Sequence, residues 1–258
     1  MSLVPFGCSH MASISNAISK RDSTTPNNTT FIGGNSNHKM IEDIYRFSNR
    51  YPLEPKFFGE HILKDDFIRL NPKNCVIYFQ STYTNRLWLP NILNSHTSSF
   101  HTMLPNSSQI TLDNKIFEEE LIDFYQKYVK FFWNYHLNLL DLLQKIDMLQ
   151  TYIKSKEIKF IHTFWTFGSH SAEWEQVMND VFKNSDFDFT KVKEQIQDIL
   201  KKIEYEKPAG YDTITGWVQS FTKELTPAEK YVDSSHYKPW IYEKIYDDII
   251  YPKYLELS

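Results

Sequence analysis

The stretch LVPFGCSHMAS, residues 3–13, predicts a β-strand that runs directly into a helix. Its first five residues are a short apolar run ending in a glycine, and the residues from 12 onward have the small and apolar side chains of a short helix. Ser9 lies at the turn between the two elements. Because the N-terminus of a helix favours negative charge nearby, a serine at this position is a candidate nucleophile.

Strand and helix patterns alternate along the rest of the chain. Further strands are predicted at 30–34, 74–81 and 158–167, and helices at 35–50, 189–206 and 239–255. A polar segment around 91–114 predicts a long loop, a helical pattern extends over about 116–155, and the segment 210–221 is ambiguous. Such alternation is typical of βαβ units around a mostly parallel sheet, so we expect one α/β domain over residues 1–258. Ligands in such domains bind beyond the carboxyl ends of the strands.

Two helical segments have patterns that predict which side chains are buried. The last helix is expected to place five residues on its apolar side: Trp240, Ile241, Ile245, Ile249 and Ile250. Met148 and Trp133, in the helical segment before residue 155, are expected to pack in the core.

The composition excludes several classes of protein. The chain carries 28 basic and 32 acidic residues, a net charge of -4, and no cluster of lysine or arginine that would bind nucleic acid. No apolar stretch is long enough to span a membrane, and the start of the sequence has no signal-peptide pattern. We therefore expect a cytoplasmic protein, or one released without a leader. The two cysteines, Cys8 and Cys75, are expected to pack as small hydrophobic residues.

A candidate base lies near the other end of the chain. Asp233 precedes His236 by three residues in the segment YVDSSHYKPW, which is rich in turn-forming residues. On such a turn the carboxylate can fold back onto the imidazole, select its tautomer and stabilise the imidazolium. A serine hydroxyl needs a base oriented in this way before it reacts at neutral pH.

Three short motifs together resemble the SGNH, or GDSL-type, hydrolases. FGCSH after the first strand is similar to the first block of that family, GGNSN after the second strand to the second block, and DSSH before the last helix to the final block. The resemblance implies a three-layer α/β/α fold, flavodoxin-like in outline, with no cofactor. It also implies that Ser9 is the nucleophile and first oxyanion donor, His236 the base and Asp233 its partner, with the backbone N–H of Gly34 serving the oxyanion hole.

The sequence departs from the family pattern at two places. Cys8 stands where the family has an aspartate, and the third block, usually G-x-N-D, is replaced by QSTYTNR. The side-chain oxyanion donor is therefore open between Asn85, Ser81 and Thr82. Arg86 is a further candidate for the pocket, where it would hold an anionic or carbonyl group.

Two functions follow as expectations. The first is a serine esterase acting on a small-molecule or carbohydrate ester, with an O-acetyl group as the expected acyl group. The second is a catalytically degenerate SGNH-like domain that binds a glycan or serves in assembly. A metal site built from His162, His170, Glu173 and Glu175 is a weaker alternative, because none of these residues has the H-E-x-x-H spacing.

Overall fold

The computed structural model describes residues 1–21, 32–33, 37–51, 70–82, 86–88, 97–99, 111–112, 115–116, 135–167, 189–233 and 236–258. Its strands are β1 (Ser2–Gly7), β2 (Ile32–Gly33), β3 (Cys75–Ser81), β4 (Arg86–Trp88), β5 (Thr97–Ser99), β6 (Thr111–Leu112), β7 (Lys115–Ile116) and β8 (Lys159–Phe164). Its helices are α1 (Ser9–Arg21), α2 (Asn37–Ser48), α3 (Tyr135–Ser155), α4 (Phe189–Leu200), α5 (Ile214–Thr222), α6 (Pro227–Lys230), α7 (Pro239–Ile245) and α8 (Tyr251–Leu257). A 3-10 turn, Pro72–Asn74, precedes β3, and a π-helical turn, Tyr246–Ile250, joins α7 to α8.

The main sheet is parallel, with the strand order β2-β1-β3-β8. The register of β1 against β3 places Ser2 opposite Cys75 and Phe6 opposite Phe79. Helices lie between successive strands of this sheet along the chain. The chain is therefore an α/β protein, as the alternation of sequence patterns predicts. Two antiparallel pairs, β4 with β5 and β6 with β7, are separate from the main sheet.

Alternate residues of β1 and β3 belong to two different hydrophobic clusters, because successive side chains of a strand point to opposite faces. One cluster contains Val4 and Phe6 of β1 with buried residues of α2, α3 and α4. The other contains Leu3 of β1 and Tyr78 of β3 with buried residues of α1, α5 and α7. Both clusters thus combine strand and helix residues.

Some predicted boundaries differ from those in the structure. The first helix begins at Ser9 and not at residue 12, and α4 ends at Leu200. The segment predicted as a loop contains the short strands β5 and β6. The predicted 116–155 helix corresponds to α3 at its end, whereas Lys115–Ile116 is β7. The ambiguous segment covers all but the last residue of α5, whose first turn is capped by Thr213: the Thr213 Oγ1 accepts a hydrogen bond from the Gly216 N–H at 3.2 Å.

Two predictions of burial are wrong. Met148 is 65% exposed, because the buried stripe of α3 runs through Ile146, Leu149 and Ile153 and Met148 faces away from it. Trp240 is 42% exposed in the first turn of α7, whereas the four isoleucines predicted beside it are buried. Trp133 lies outside the described residues.

Candidate functional site

The strand order marks one end of the sheet as the place to look for a site. β1 lies between β2 and β3, so the chain leaves β1 to one side and crosses back to reach β3. Crevices form beyond the carboxyl ends of strands at such a switch point. Ser9 follows β1 there and Thr82 follows β3. Phe6 and Phe79 are opposite each other on the two strands, and Ser9 and Thr82 each follow three residues later.

The turn from β1 into α1 is tightly packed. A Cβ atom added to Gly7 would lie 2.9 Å from the Met11 Cβ, so only glycine allows α1 to pack this closely over the end of the strand. Cys8 is buried, and its carbonyl accepts a hydrogen bond from the Met11 N–H at 2.8 Å. Ser9 is the first residue of α1, and its side chain lies outside the described part of the structure.

Asp233 and His236 form the pair that their spacing predicts. Asp233 Oδ2 lies 2.8 Å from His236 Nδ1, and Asp233 Oδ1 accepts the backbone N–H of His236 at 2.8 Å. The flanking backbone is held by a bridge between Tyr231 and Tyr237, and the Val232 N–H donates to the His236 carbonyl at 2.8 Å. When the carboxylate accepts from Nδ1–H, the neutral ring carries its basic lone pair on Nε2, as a general base requires.

His10 brings the two ends of the chain together. Its ring centroid lies 5.2 Å from that of His236, and it stacks on Trp165 with centroids 4.0 Å apart. His10 directly follows Ser9 in the chain, and its ring contacts that of His236. The backbone of Ser9 is therefore one residue away from a contact with the predicted base.

A groove of about 740 Å³ begins at the Asp233–His236 pair and runs between α1 and α7. On the α1 side it is lined by Ala12, Ser13 and Asn16. Residues three, four and seven positions apart share a helix face, so Ser9 is at a position on the face that borders this groove. The described lining residues include the carboxylates of Asp233 and Glu243 and no lysine or arginine.

Thr82 is held by the side chain of Asn37, which is not among the site residues that the sequence predicts. Asn37 Oδ1 accepts the Thr82 N–H at 2.7 Å, and Asn37 Nδ2 donates to the Thr82 carbonyl at 3.1 Å. Asn37 is the last residue of GGNSN and the first of α2, and it is buried. Asn37 is part of the GGNSN motif, but nothing in the sequence indicates that it binds Thr82, which lies 45 residues away.

The other oxyanion candidates differ in what the structure shows of them. Ser81 is buried at the end of β3, and its hydroxyl donates to the Thr163 carbonyl at 3.3 Å, so it is used within the sheet. Thr82 Oγ1 is also buried and has no hydrogen-bond partner among the described residues. Arg86 begins β4, and its side chain lies outside the described part. Gly34 and Asn85 lie outside the described residues altogether.

His162, the described member of the alternative metal set, is a core residue. It is buried on β8, stacks on Phe79 with centroids 5.2 Å apart, and its Nε2 lies 3.2 Å from Ser81 Oγ. Burial lowers the pKa of His162 to about 3, because the charged ring would be removed from water. Within the described ranges, no three His, Cys, Asp or Glu side chains are grouped to hold a metal ion. His170, Glu173 and Glu175 lie outside those ranges.

No protein-family model matches the chain, and neither a curated protein nor a solved structure gives a significant match to it. Among the described helices, none combines the length and the apolar character needed to cross a membrane.

Proposed function

We propose that this protein is a serine ester hydrolase of the SGNH type, with Ser9 as nucleophile, His236 as general base and Asp233 as the partner that orients the base. One observation carries the proposal: the hydrogen-bonded Asp233–His236 pair lies against His10, the residue that follows Ser9. Ser9 and His236 are separated by 227 positions in the sequence. The ring contact between His10 and His236 supports the proposal that these two distant parts of the chain share one site.

In the proposed reaction, His236 Nε2 accepts the hydroxyl proton of Ser9 as the serine oxygen attacks the ester carbonyl. Asp233 stabilises the imidazolium that forms. The imidazolium then gives its proton to the departing alcohol, which leaves an acyl-enzyme on Ser9. Water, activated by the same imidazole, attacks the acyl-enzyme and releases the acid.

The oxyanion needs donors placed before the reaction begins. The first proposed donor is the backbone N–H of Ser9, at the N-terminus of α1, where the helix dipole also favours negative charge. The second, by resemblance, is the N–H of Gly34. The third is the Thr82 hydroxyl, since the Thr82 N–H is occupied by Asn37 and the Ser81 hydroxyl by Thr163. Asn85 and Arg86 remain candidates from sequence alone.

The three-layer α/β/α arrangement of that family is part of the same proposal. It is supported by the two hydrophobic clusters, each of which joins strand residues to a different set of helices. The strand order β2-β1-β3-β8 also agrees with the flavodoxin-like order that begins 2-1-3-4.

The groove supports an ester with a neutral, hydroxyl-rich alcohol, such as an acetylated carbohydrate. Two carboxylates and no lysine or arginine occur among its described lining residues, so an anionic substrate would be disfavoured. Its α1 side carries the Ser13 hydroxyl and the Asn16 amide, groups that can form hydrogen bonds with sugar hydroxyls.

A serine-reactive fluorophosphonate probe tests the proposal directly. Wild-type protein is expected to be labelled at Ser9, as located by peptide mass spectrometry, and Ser9→Ala and His236→Ala to lose the label. Ser220→Ala is a matched control, because the Ser220 hydroxyl donates to the Trp217 carbonyl of its own helix, outside the site. Folded wild-type protein that takes up no label would overturn the proposal.

A second candidate is a domain of the same fold that binds a glycan without catalysis. The observation that favours it is Cys8, a buried thiol where the family has a carboxylate to support the nucleophile turn. This function predicts saturable binding of an oligosaccharide, measured by calorimetry, together with no probe labelling and no ester hydrolysis.

A further inference from the structure

His10 is a buried histidine without a role in the proposed chemistry. It is 2% exposed, and its ring contacts those of Trp165 and His236. Buried polar groups are costly unless they form hydrogen bonds, so the partner of the His10 ring indicates what it does.

One partner is Tyr242, whose hydroxyl lies 2.8 Å from His10 Nδ1. The same oxygen accepts the Tyr237 N–H at 3.2 Å. A tyrosine hydroxyl both donates and accepts, so this one group is hydrogen-bonded to His10 and to Tyr237.

The two bonds connect the two ends of the proposed site. His10 follows Ser9 in the chain, and Tyr237 follows His236. Tyr242, on α7, thus links the residue after the proposed nucleophile to the residue after the proposed base. His10 and Tyr242 are 232 positions apart in the sequence. Trp165 supports the same group, with its ring centroid 5.7 Å from that of Tyr237.

We propose that His10 and Tyr242 are positioning residues that hold the His236 imidazole in register with Ser9. The inference rests on the proposed esterase function, and it assigns these residues no contact with substrate. A nucleophile and base must meet within hydrogen-bond reach, and a displacement of about 1 Å costs on the order of 100-fold in rate.

The test is Tyr242→Phe, which removes both hydrogen bonds and retains the ring that packs beside His10. We expect kcat for p-nitrophenyl acetate, and the rate of fluorophosphonate labelling, to fall by about 10- to 100-fold, with KM within about threefold of wild type. Tyr78→Phe is the matched control. Tyr78 is also fully buried, and its hydroxyl lies 2.9 Å from Thr163 Oγ1. Removing the Tyr78 hydroxyl is therefore expected to lower the midpoint of thermal unfolding without lowering kcat.

Two variants of His10 separate hydrogen bonding from packing. His10→Phe retains the stack on Trp165 and loses the hydrogen bond to Tyr242, so kcat is expected to fall as in Tyr242→Phe. His10→Asn places an amide group, which can donate or accept, near the position of Nδ1, so it is expected to recover part of that loss. A Tyr242→Phe variant with wild-type kcat, in a wild-type background that is labelled at Ser9, overturns the positioning role and leaves the esterase function intact. Wild-type protein that is neither labelled nor active overturns both.

Discussion

Asp233 and His236 are joined at two points: one carboxylate oxygen lies 2.8 Å from the imidazole Nδ1, and the other accepts the backbone N–H of His236 at 2.8 Å. The backbone bond fixes the carboxylate in place, so the contact with the ring does not depend on the imidazole alone. Both residues are partly exposed, with side chains 52% and 31% accessible respectively. The pair therefore lies at the surface groove, and a contact this exposed contributes little to stability.

Asp233→Asn separates these two bonds. The asparagine Oδ1 can still accept the backbone N–H, but its NH₂ group would face Nδ1 and favour the wrong tautomer of His236. We expect kcat for ester hydrolysis to fall between about 100- and 10,000-fold, with the free energy of unfolding within about 0.5 kcal/mol of wild type.

The matched control for that variant is Asp212→Asn, at an exposed carboxylate 2.7 Å from Lys207 Nζ and outside the groove. It should retain full activity. Steady-state kinetics and urea denaturation measure both quantities, and an Asp233→Asn variant as active as Asp212→Asn would show that the proposed triad is wrong.

Thr82→Val is expected to change activity and stability in different directions. Thr82 Oγ1 is buried without a partner in the described part of the chain, so replacing it with a methyl group should leave stability unchanged or raise it by up to about 1 kcal/mol. If Thr82 is the oxyanion donor that we propose, the loss of its hydroxyl should lower kcat by about 100- to 1,000-fold.

Thr82→Ser should retain most of the activity, because it keeps the hydroxyl. Thr222→Val is the control for removing a buried threonine hydroxyl elsewhere, since Thr222 Oγ1 donates to the Val218 carbonyl at 2.7 Å. That variant should lose stability and keep kcat. A Thr82→Val enzyme with normal kcat would remove Thr82 from the oxyanion hole.

Stability is expected to depend on the protonation of His162. Burial lowers its pKa from 6.5 to about 3 on folding, so the native state binds this proton more weakly than the unfolded state. The contribution of neutral His162 to the free energy of unfolding is fully present above pH 6.5, and it is lost as the pH falls towards 3. The slope of the unfolding free energy from this group approaches about 1.4 kcal/mol per pH unit.

Denaturant titrations between pH 7 and pH 4 measure that slope, and His162→Leu should reduce it. Phe79→Leu alters the ring stacked on His162 and removes no titrating group, so its slope should match wild type. An unchanged slope in His162→Leu would mean that other groups account for the acid dependence.

Both cysteines should resist thiol reagents in the folded protein. Cys75 is buried, its Sγ lies 3.3 Å from the Asn71 carbonyl, and burial raises its pKa to about 11. At pH 8 only about one Cys75 thiol in a thousand is ionised, and the thiolate is the reactive form. Cys8 is buried as well. Ellman's reagent is expected to react with neither thiol in the native state and with both in denaturant. Rapid reaction of the native protein would contradict this burial.

Local features explain why part of the site was predictable. Asp233 and His236 are three residues apart on one turn, so the contact between them depends mainly on local backbone geometry. The strand before Ser9 was evident from its apolar run, and the helix after it was predicted with a start three residues too late. By contrast, the amphipathic pattern placed Trp240 and Met148 in the core, because a pattern shows which side of a helix is more apolar and not where the buried stripe ends.

The sequence by itself determined the alternation of strands and helices, the glycine that lets α1 follow β1 closely, and the Asp–His spacing, since each depends on residues near one another in the chain. Only the tertiary structure decided that His10 contacts both Trp165 and His236 and that Asn37 binds both backbone groups of Thr82. The physical reason is that these contacts join residues 45 or more positions apart. They exist only because burial of the hydrophobic clusters brings the helices against the sheet in one arrangement.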